Sequence, residues 1–329
     1  MKRRLLAVLT AVFLMMNNYS DITFAQISDI RGVKSNSQTA EQGKRIINEK
    51  PFSMVWFTDT QYYAESYPEI FDFLGDLLVK EYKKGSFGYV INTGDLVNVA
   101  SDIRQWEVAD RNFKKLDTAN VPYGVLAGNH DVSINGLNYQ IYNKYFGKSR
   151  FKAKSWYGGN MSNNLNHYDL ITLGGHDFII LYLDYSTNIT EETIKWSNNI
   201  LKKYSGRTAI LAMHEYLNCN SSLTYVAHSV FNRIISKNSN VIMVLCGHNH
   251  CAVRRIKTVI NTDGSTRKVI EILSDYQKAP HGGDGYLRYL NFHPESGLLQ
   301  VVTYSPYKNK YNFFEDTKDS FTEKIKLID

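Results

Sequence analysis

Side chains that bind metals or move protons recur at one kind of place in this sequence, directly after short apolar runs. Val241-Ile-Met-Val-Leu-Cys246 leads into Gly247-His248-Asn249-His250. That reads as a buried strand whose C-terminal end delivers two imidazoles at i and i+2. Gly247 lets the backbone turn sharply there without a Cβ clash. The same grammar appears upstream. Asp59 and Gln61 follow Met54–Phe57, and Asp95 follows Tyr89–Asn92. Asn129, His130 and Asp131 follow Tyr123–Leu126, and His214 follows Thr208–Met213. Imidazole, carboxylate and amide oxygen all bind divalent metals, and ligands collect at the carboxyl ends of strands in open α/β sheets. Each case alone has an ordinary explanation: a strand-end Asp is a common helix N-cap, and a lone His is commonly a satisfied polar residue. Their joint occurrence at the same end of successive strands points to a metal centre. No Ser sits on a Gly-x-Ser-x-Gly elbow, and Gly282, Gly283 and Gly285 match neither a P-loop nor a dinucleotide fingerprint.

The elements that would position these residues can be read from periodicity. Between the apolar runs, helical spacing joins Ile70, Phe71, Leu74, Leu77 and Leu78, and then Ile103, Trp106, Phe113 and Leu116. A further strand is expected at Phe178–Leu183, then a helix over Glu191–Tyr204 with Thr190 as its N-cap, and another over Thr224–Lys237. Residues 132–176 are rich in aromatics, lysines and glycines and read as a loop-rich rim over the site. After Cys251 the pattern turns β-rich. Val253–Ile260 and Lys268–Leu273 flank a turn at Thr262-Asp-Gly264, and Tyr286–Phe292 and Leu298–Thr303 flank Glu295-Ser-Gly297. Strands and helices that alternate and then give way to strands imply layers of sheet covered by helices, an α/β (α+β) fold.

Composition bounds the rest. With 43% hydrophobic and 21% charged residues, the chain is ordinary for a globular protein. Lys2, Arg3 and Arg4, the apolar run Leu5–Met16 and Thr-Phe-Ala25 form the pattern of a secretory signal peptide, with residues 26–50 as a flexible spacer and 51–329 as one catalytic domain. The apolar run is short for a membrane span, so a cleaved leader and an extracytoplasmic protein without a stable membrane anchor are expected, with an uncleaved anchor as the alternative. A formal charge of +6 with no concentrated basic block argues against a nucleic-acid partner, and a monomer is expected. The cysteines are Cys219, Cys246 and Cys251, so at least one thiol stays unpaired within the chain. Cys246 reads as a buried small hydrophobe. Cys219 and Cys251 both follow candidate ligand stretches, but spacing alone does not fix their pairing.

Together the motifs Asp59-x-Gln61, Gly94-Asp95-x-x-Asn98, Gly128-Asn129-His130-Asp131, a lone His214 and Gly247-His248-x-His250 resemble the calcineurin-like metallophosphoesterase family. The blocks come in the family's order and span roughly residues 51–305. The resemblance implies a four-layer sandwich, two mixed β-sheets flanked by helices, around two divalent cations. It places Asp59, Gln61, Asp95 and His250 around the first cation, with Asp95 bridging to a second held by Asn129, His214 and His248. His130 matches the family's non-ligand histidine, placed to stabilise the transition state or to protonate the leaving oxygen, and Asp131 would orient its ring. Asn98, Tyr62 and Tyr216 are candidate substrate contacts, and Asp275, Gln277 and the loop His281–Gly285 are weaker ones.

One position departs from the pattern. The family's first motif usually ends in His, and here it ends in Gln61. A neutral amide oxygen binds less tightly than imidazole, which favours exchangeable Mn²⁺, Mg²⁺ or Zn²⁺ ahead of Fe. Leu96 and Val97 stand where purple acid phosphatases place a metal-bound tyrosine, so no tyrosinate chromophore is expected. The implied activity is hydrolysis of a small phosphate mono- or diester. The alternative is a metal-stabilised binding protein with little turnover, for which Gln61 is the argument and against which His130 weighs.

Overall fold

The computed structural model describes residues 50–133, 138–185, 189–261 and 263–328. The expected leader, residues 26–49 of the spacer and Thr262 of the expected turn lie outside the described residues. The strands are β1 (Phe52–Phe57), β2 (Tyr89–Asn92), β3 (Tyr123–Val125), β4 (Tyr157–Met161), β5 (Asn166–Leu173), β6 (His176–Leu183), β7 (Thr208–Met213), β8 (Val241–Cys246), β9 (Ala252–Ile260), β10 (Thr266–Ser274), β11 (Leu287–His293), β12 (Leu298–Ser305), β13 (Lys310–Tyr311) and β14 (Phe321–Lys324). They form two sheets. The first runs β13-β12-β11-β1-β2-β3, with β14 also paired to β12, and the second runs β4-β5-β6-β7-β8-β10-β9.

Both sheets are mixed. Their centres are parallel, β1 with β2 and β2 with β3 in one, β6 with β7, β7 with β8 and β8 with β10 in the other. Antiparallel pairs close the flanks, as in β1 with β11 and β5 with β6. Parallel strands buried on both faces need near-continuous apolar sequence, and β7 and β8 are buried at every residue. Because the central strands of each sheet run the same way, their C-terminal ends emerge together.

Alternation along β6 shows how the layers stack. Phe178 and Tyr182 face the first sheet, where Phe178 meets Phe52 edge-on at 5.7 Å. The intervening Ile179, Leu181 and Leu183 join a core with the helices Glu191–Lys203 and Tyr225–Arg233. On the outer face of the first sheet lie α1 (Gln61–Glu65), α2 (Pro68–Lys83) and α3 (Ile103–Thr118). Phe113 of α3 packs on Phe57 of β1 and on Phe71 of α2. The chain continues through α4 (Gln140–Phe146) and α5 (Lys148–Phe151) to α6 (Glu191–Lys203) and α7 (Tyr225–Arg233). Thr190 caps α6, its hydroxyl oxygen accepting from the Thr193 N–H at 3.1 Å. The result is helix, sheet, sheet, helix, as the resemblance implied.

The stretch 132–176 is not a loop-rich rim. It contains α4, α5, β4 and β5, and many of its aromatics are core. Tyr142, Phe146 and Phe151 are fully buried, and Phe113 meets Phe146 at 5.2 Å and Tyr123 meets Phe151 at 5.4 Å. Glycines and lysines interspersed among these rings break the apolar periodicity that would have shown the elements in the sequence. Among the described residues no helix is long and apolar enough to cross a membrane.

Candidate metal centre

The C-terminal ends of β1, β2 and β3 meet those of β7 and β8 at one end of the seam between the sheets. Asp59 lies two residues beyond β1, Asp95 three beyond β2, and His214 directly follows β7. Each of Asp59, Asp95 and His214 places a ligand atom within 4.8 Å of the others, and all three are buried. The backbone bends hard to do this. Asp59 (φ 53°), Asp95 (φ 54°) and His248 (φ 72°) adopt the left-handed region that residues with a Cβ seldom occupy, a kind of strain that collects at functional sites. Two glycines make room. A Cβ at Gly128 would sit 2.1 Å from Asp95 Oδ1 and 2.7 Å from the His214 ring, and one at Gly247 would sit 2.1 Å from Asp59 Oδ2.

Hydrogen bonds fix the donor atoms. The His214 Nδ1–H points at the Thr93 carbonyl, 2.9 Å away, which turns Nε2 towards Asp95 Oδ1 at 3.4 Å and Asn129 Oδ1 at 2.9 Å. His248 Nδ1 approaches the same Asn129 oxygen, also at 2.9 Å. The His248 N–H donates to Asp59 Oδ1 at 3.1 Å, and the His130 N–H to Asp95 Oδ1 at 2.9 Å. Asp59, Asp95, Asn129, His214 and His248 are thus one interlocked cluster drawn from both sheets.

Electrostatics tells the same story. Burial, then the Asp275 charge, pushes the Asp59 carboxyl well above the usual carboxylate range. Burial pulls the His214 imidazole down, yet the Asp95 charge and hydrogen bond outweigh it and lift it to about 10. Burial would raise Asp95, but the His214 charge and hydrogen bond hold it below its ordinary value. Burial and the His214 charge bring His248 down to about 4. A proton on His214 therefore sits among acidic oxygens, where positive charge is wanted.

The residues present fit divalent cations. Donors bonded to one ion at about 2.1 Å and at right angles stand about 3 Å apart, close to the spacing of His214 Nε2 and His248 Nδ1 from Asn129 Oδ1. Gln61 Nε2 donates to Asp95 Oδ2 at 3.1 Å, while Gln61 Oε1 is buried without a hydrogen-bond partner, an acceptor left for something positive. His250 is more open, its side chain 34% exposed, with Nε2 3.9 Å from Asp275 Oδ2. Burial and the Lys278 charge keep its imidazole below the ordinary value.

The remaining expected site residues divide. His130 sits half-buried at the cluster, but its ring is not held by Asp131: Nδ1 pairs with the Asn98 carbonyl at 2.9 Å. Asp131 instead accepts from the N–H groups of Leu96 (2.8 Å), Val97 (3.0 Å) and Gly128 (2.8 Å), tying the loop after β2 to the loop after β3. A buried carboxylate offered three backbone N–H groups has little reason to reach for the ring. The Asn98 side chain donates to Glu65 at 2.7 Å, so its contribution beside His130 is its backbone carbonyl. Tyr216 is no substrate contact. It is fully buried, and its hydroxyl donates to Glu271 at 2.6 Å. Tyr62 is half-buried and backs onto Gly282, where a Cβ would come within 2.5 Å of its own.

Motif reading missed Tyr185, whose ring lies 5.7 Å from that of His214 and 6.4 Å from that of His248. It gave too little weight to Gln277 and Asp275, which join the cluster through Gln61 and His250. Asp275 follows an apolar run as the motif carboxylates do but belongs to no motif, and Tyr185 is flagged only by its place just past β6. Cys219 and Cys251 form a disulfide that joins the loop after β7 to the residue following His250, while Cys246 stays a buried thiol.

Comparison with known proteins agrees with this geometry. Residues 22–252 match the family model of the calcineurin-like phosphoesterases. The uncharacterized protein YvnB of Bacillus subtilis is 45% identical over 283 residues, which are 84% of this chain and 22% of that protein. A probable cyclic nucleotide phosphodiesterase of Moraxella catarrhalis is 30% identical over 170 residues, 48% of this chain and 56% of that one. The chain thus spans about a fifth and about half of the lengths of these two relatives. In fold, a purple acid phosphatase from yellow lupin seeds superposes with a TM-score of 0.56 at 14% identity, over 83% of this chain and 53% of that one. The shared motifs, the two mixed sheets and the family match together make this chain a member of the calcineurin-like phosphoesterase family.

Proposed function

We propose that this chain is a metal-dependent hydrolase of phosphate esters working with two divalent cations. The observation that carries the reading is the convergence of Asp59, Asp95 and His214 within 4.8 Å, with Asn129 Oδ1 shared at 2.9 Å by His214 and His248. Asp59, Gln61, Asp95 and His250 would hold one cation, and Asp95, Asn129, His214 and His248 the other. Bound there, two divalent cations activate water as a nucleophile and neutralise charge on the phosphoryl oxygens. The chain's own part is positioning and proton transfer. The Asn98 carbonyl accepts from His130 Nδ1, which leaves Nε2 as the nitrogen that gives its proton to the leaving oxygen. Once that proton has gone, the neutral ring keeps its hydrogen on Nδ1, the tautomer the carbonyl stabilises. Phosphodiesters are the first substrates to try, given the name of the Moraxella relative.

Export of the protein is part of the proposal. The leader pattern suggests it, and the Cys219–Cys251 disulfide suits an oxidising compartment. N-terminal sequencing of protein recovered from the medium should begin at Gln26; an intact Met1 would count against cleavage.

The activity is tested with nitrophenyl phosphate mono- and diesters and cyclic nucleotides, after chelation and after return of each divalent ion. Hydrolysis should vanish on stripping and return with Mn²⁺, Mg²⁺ or Zn²⁺. Undiminished turnover by rigorously metal-free protein would rule the mechanism out.

A further inference from the structure

Beyond the motif residues, Asp275 and Gln277 form a short chain of hydrogen bonds that ends on Gln61. Asp275 lies directly after β10, whose parallel pairing with β8 brings it beside the loop that carries His248 and His250. Its N–H donates to the Cys251 carbonyl at 3.1 Å. Asp275, Gln277 and Gln61 are all at least nine-tenths buried. Asp275 Oδ1 accepts from the Gln277 backbone N–H at 2.9 Å, and Oδ2 from Gln277 Nε2 at 3.0 Å. Gln277 Oε1 in turn accepts from Gln61 Nε2 at 2.6 Å.

The order of donors and acceptors in this chain follows from the carboxylate at its root. An ionised carboxylate only accepts, so Gln277 must turn its NH₂ towards Asp275 and its oxygen towards Gln61. Gln61 must then answer with its NH₂, and both of its protons are taken, one by Gln277 Oε1 and one by Asp95 Oδ2. Its own Oε1 is left buried with no donor. Burying an acceptor in this state is costly unless a donor or a cation satisfies it, and its neighbours in the cluster are the ligands expected to hold a cation.

We propose that Asp275 and Gln277 are positioning residues that lock the Gln61 amide with its oxygen presented to a divalent cation. An amide free to flip could offer its NH₂ in place of its oxygen, and the lock removes that ambiguity. It supplies to a glutamine the fixed orientation that an imidazole obtains from a backbone carbonyl, as His214 does from Thr93. The inference rests on the metal reading of the preceding section.

The test is isothermal titration of Mn²⁺ into the chelator-stripped full chain, with thermal melting of the metal-free protein as a control for folding. The parent should show two unequal steps. Gln277→Met should weaken the weaker step by about 10–100-fold, the usual effect of losing an outer partner of a ligand, and leave the tighter step in place. In a Gln61→Met background the same change should do no further harm. Rescue discriminates further. Asp275→Asn alone should weaken the step, and Asp275→Asn with Gln277→Glu should restore it, because the amide and carboxylate then exchange places and an acceptor still faces Gln61. Equal losses with and without Gln61, an unrestored double variant, or no effect of Gln277→Met would each overturn the lock. A parent that binds no Mn²⁺ at all would bring down the metal reading and this inference with it. A parent with two steps that ignore Gln277 would bring down the inference alone.

Discussion

His130 differs from its neighbours in what holds it. His214, like His130, points Nδ1 at a backbone carbonyl, but its Nε2 turns onto Asn129, as His248 Nδ1 does, whereas His130 enters the cluster through its backbone N–H. His130→Ala should therefore keep its metal content and lose roughly 10²–10⁴-fold in rate, the range for general acid catalysis. The loss should shrink with nitrophenolate as leaving group, which needs little protonation; metal analysis beside the kinetics checks this, and loss of metal would make His130 a ligand. At this scale the sequence was informative wherever residue type and strand end coincided, as at Asp59, Asp95 and His214. It misled at Tyr216, because nearness along the chain to His214 says nothing about direction, and that hydroxyl runs into the core to meet Glu271. The role given to Asp131 failed for a similar reason: adjacency to His130 hid the nearer backbone donors of Leu96, Val97 and Gly128.

At the scale of elements, apolar runs gave the buried parallel strands to within a residue or two, because a strand covered on both faces has nowhere to put a polar side chain. β7 and β8 are the plainest cases. β5 was hidden by its own polar core, since it carries His167 and Asp169 inward. The His167 ring stacks on Tyr182 at 4.3 Å, and burial pulls its pKa down to about 3. In the unfolded chain this imidazole titrates near the ordinary value of about 6.5. Between those values the unfolded chain holds a proton the folded one refuses. Its contribution to stability is therefore intact above about pH 6.5 and lost as pH falls towards 3, by at most about 1.4 kcal/mol per pH unit. His167→Phe keeps a flat ring against Tyr182 and should flatten the acid limb of the stability curve, measured by urea unfolding at pH 7, 6, 5 and 4. Parallel curves for the two proteins would show that the ring titrates freely in the fold.

For the whole molecule, the disulfide links two loops of the second sheet that carry expected ligands. Cys219 and Cys251 are 32 residues apart, a span whose closure should contribute roughly 3–4 kcal/mol by the chain-entropy account. Cys219→Ser should lower the melting temperature and also weaken the metal step that depends on His250, because Cys251 is its neighbour. Unchanged metal affinity with a lowered melting temperature would mean that the bridge braces the fold and not the ligand. Burial keeps the third thiol, Cys246, far above its ordinary pKa and so unreactive towards exchange.

The pairing of β1 with β11 sets Phe52 opposite Phe292. β1 thus waits for a strand far down the chain before its flank is closed, while every expected ligand has already been synthesised by His250. Contacts this far apart in sequence form late and slowly. A nascent chain stopped after Ala252 would carry all of those ligands and still lack β10, β11 and Asp275, so the cluster would have no frame. Such a fragment should show neither cooperative melting nor Mn²⁺ uptake, and a metal-binding fragment would show that the ligand ends assemble without the closing strands. On this expectation metal entry waits for β10 and β11: the centre is an event of maturation, governed by the time those strands take to arrive.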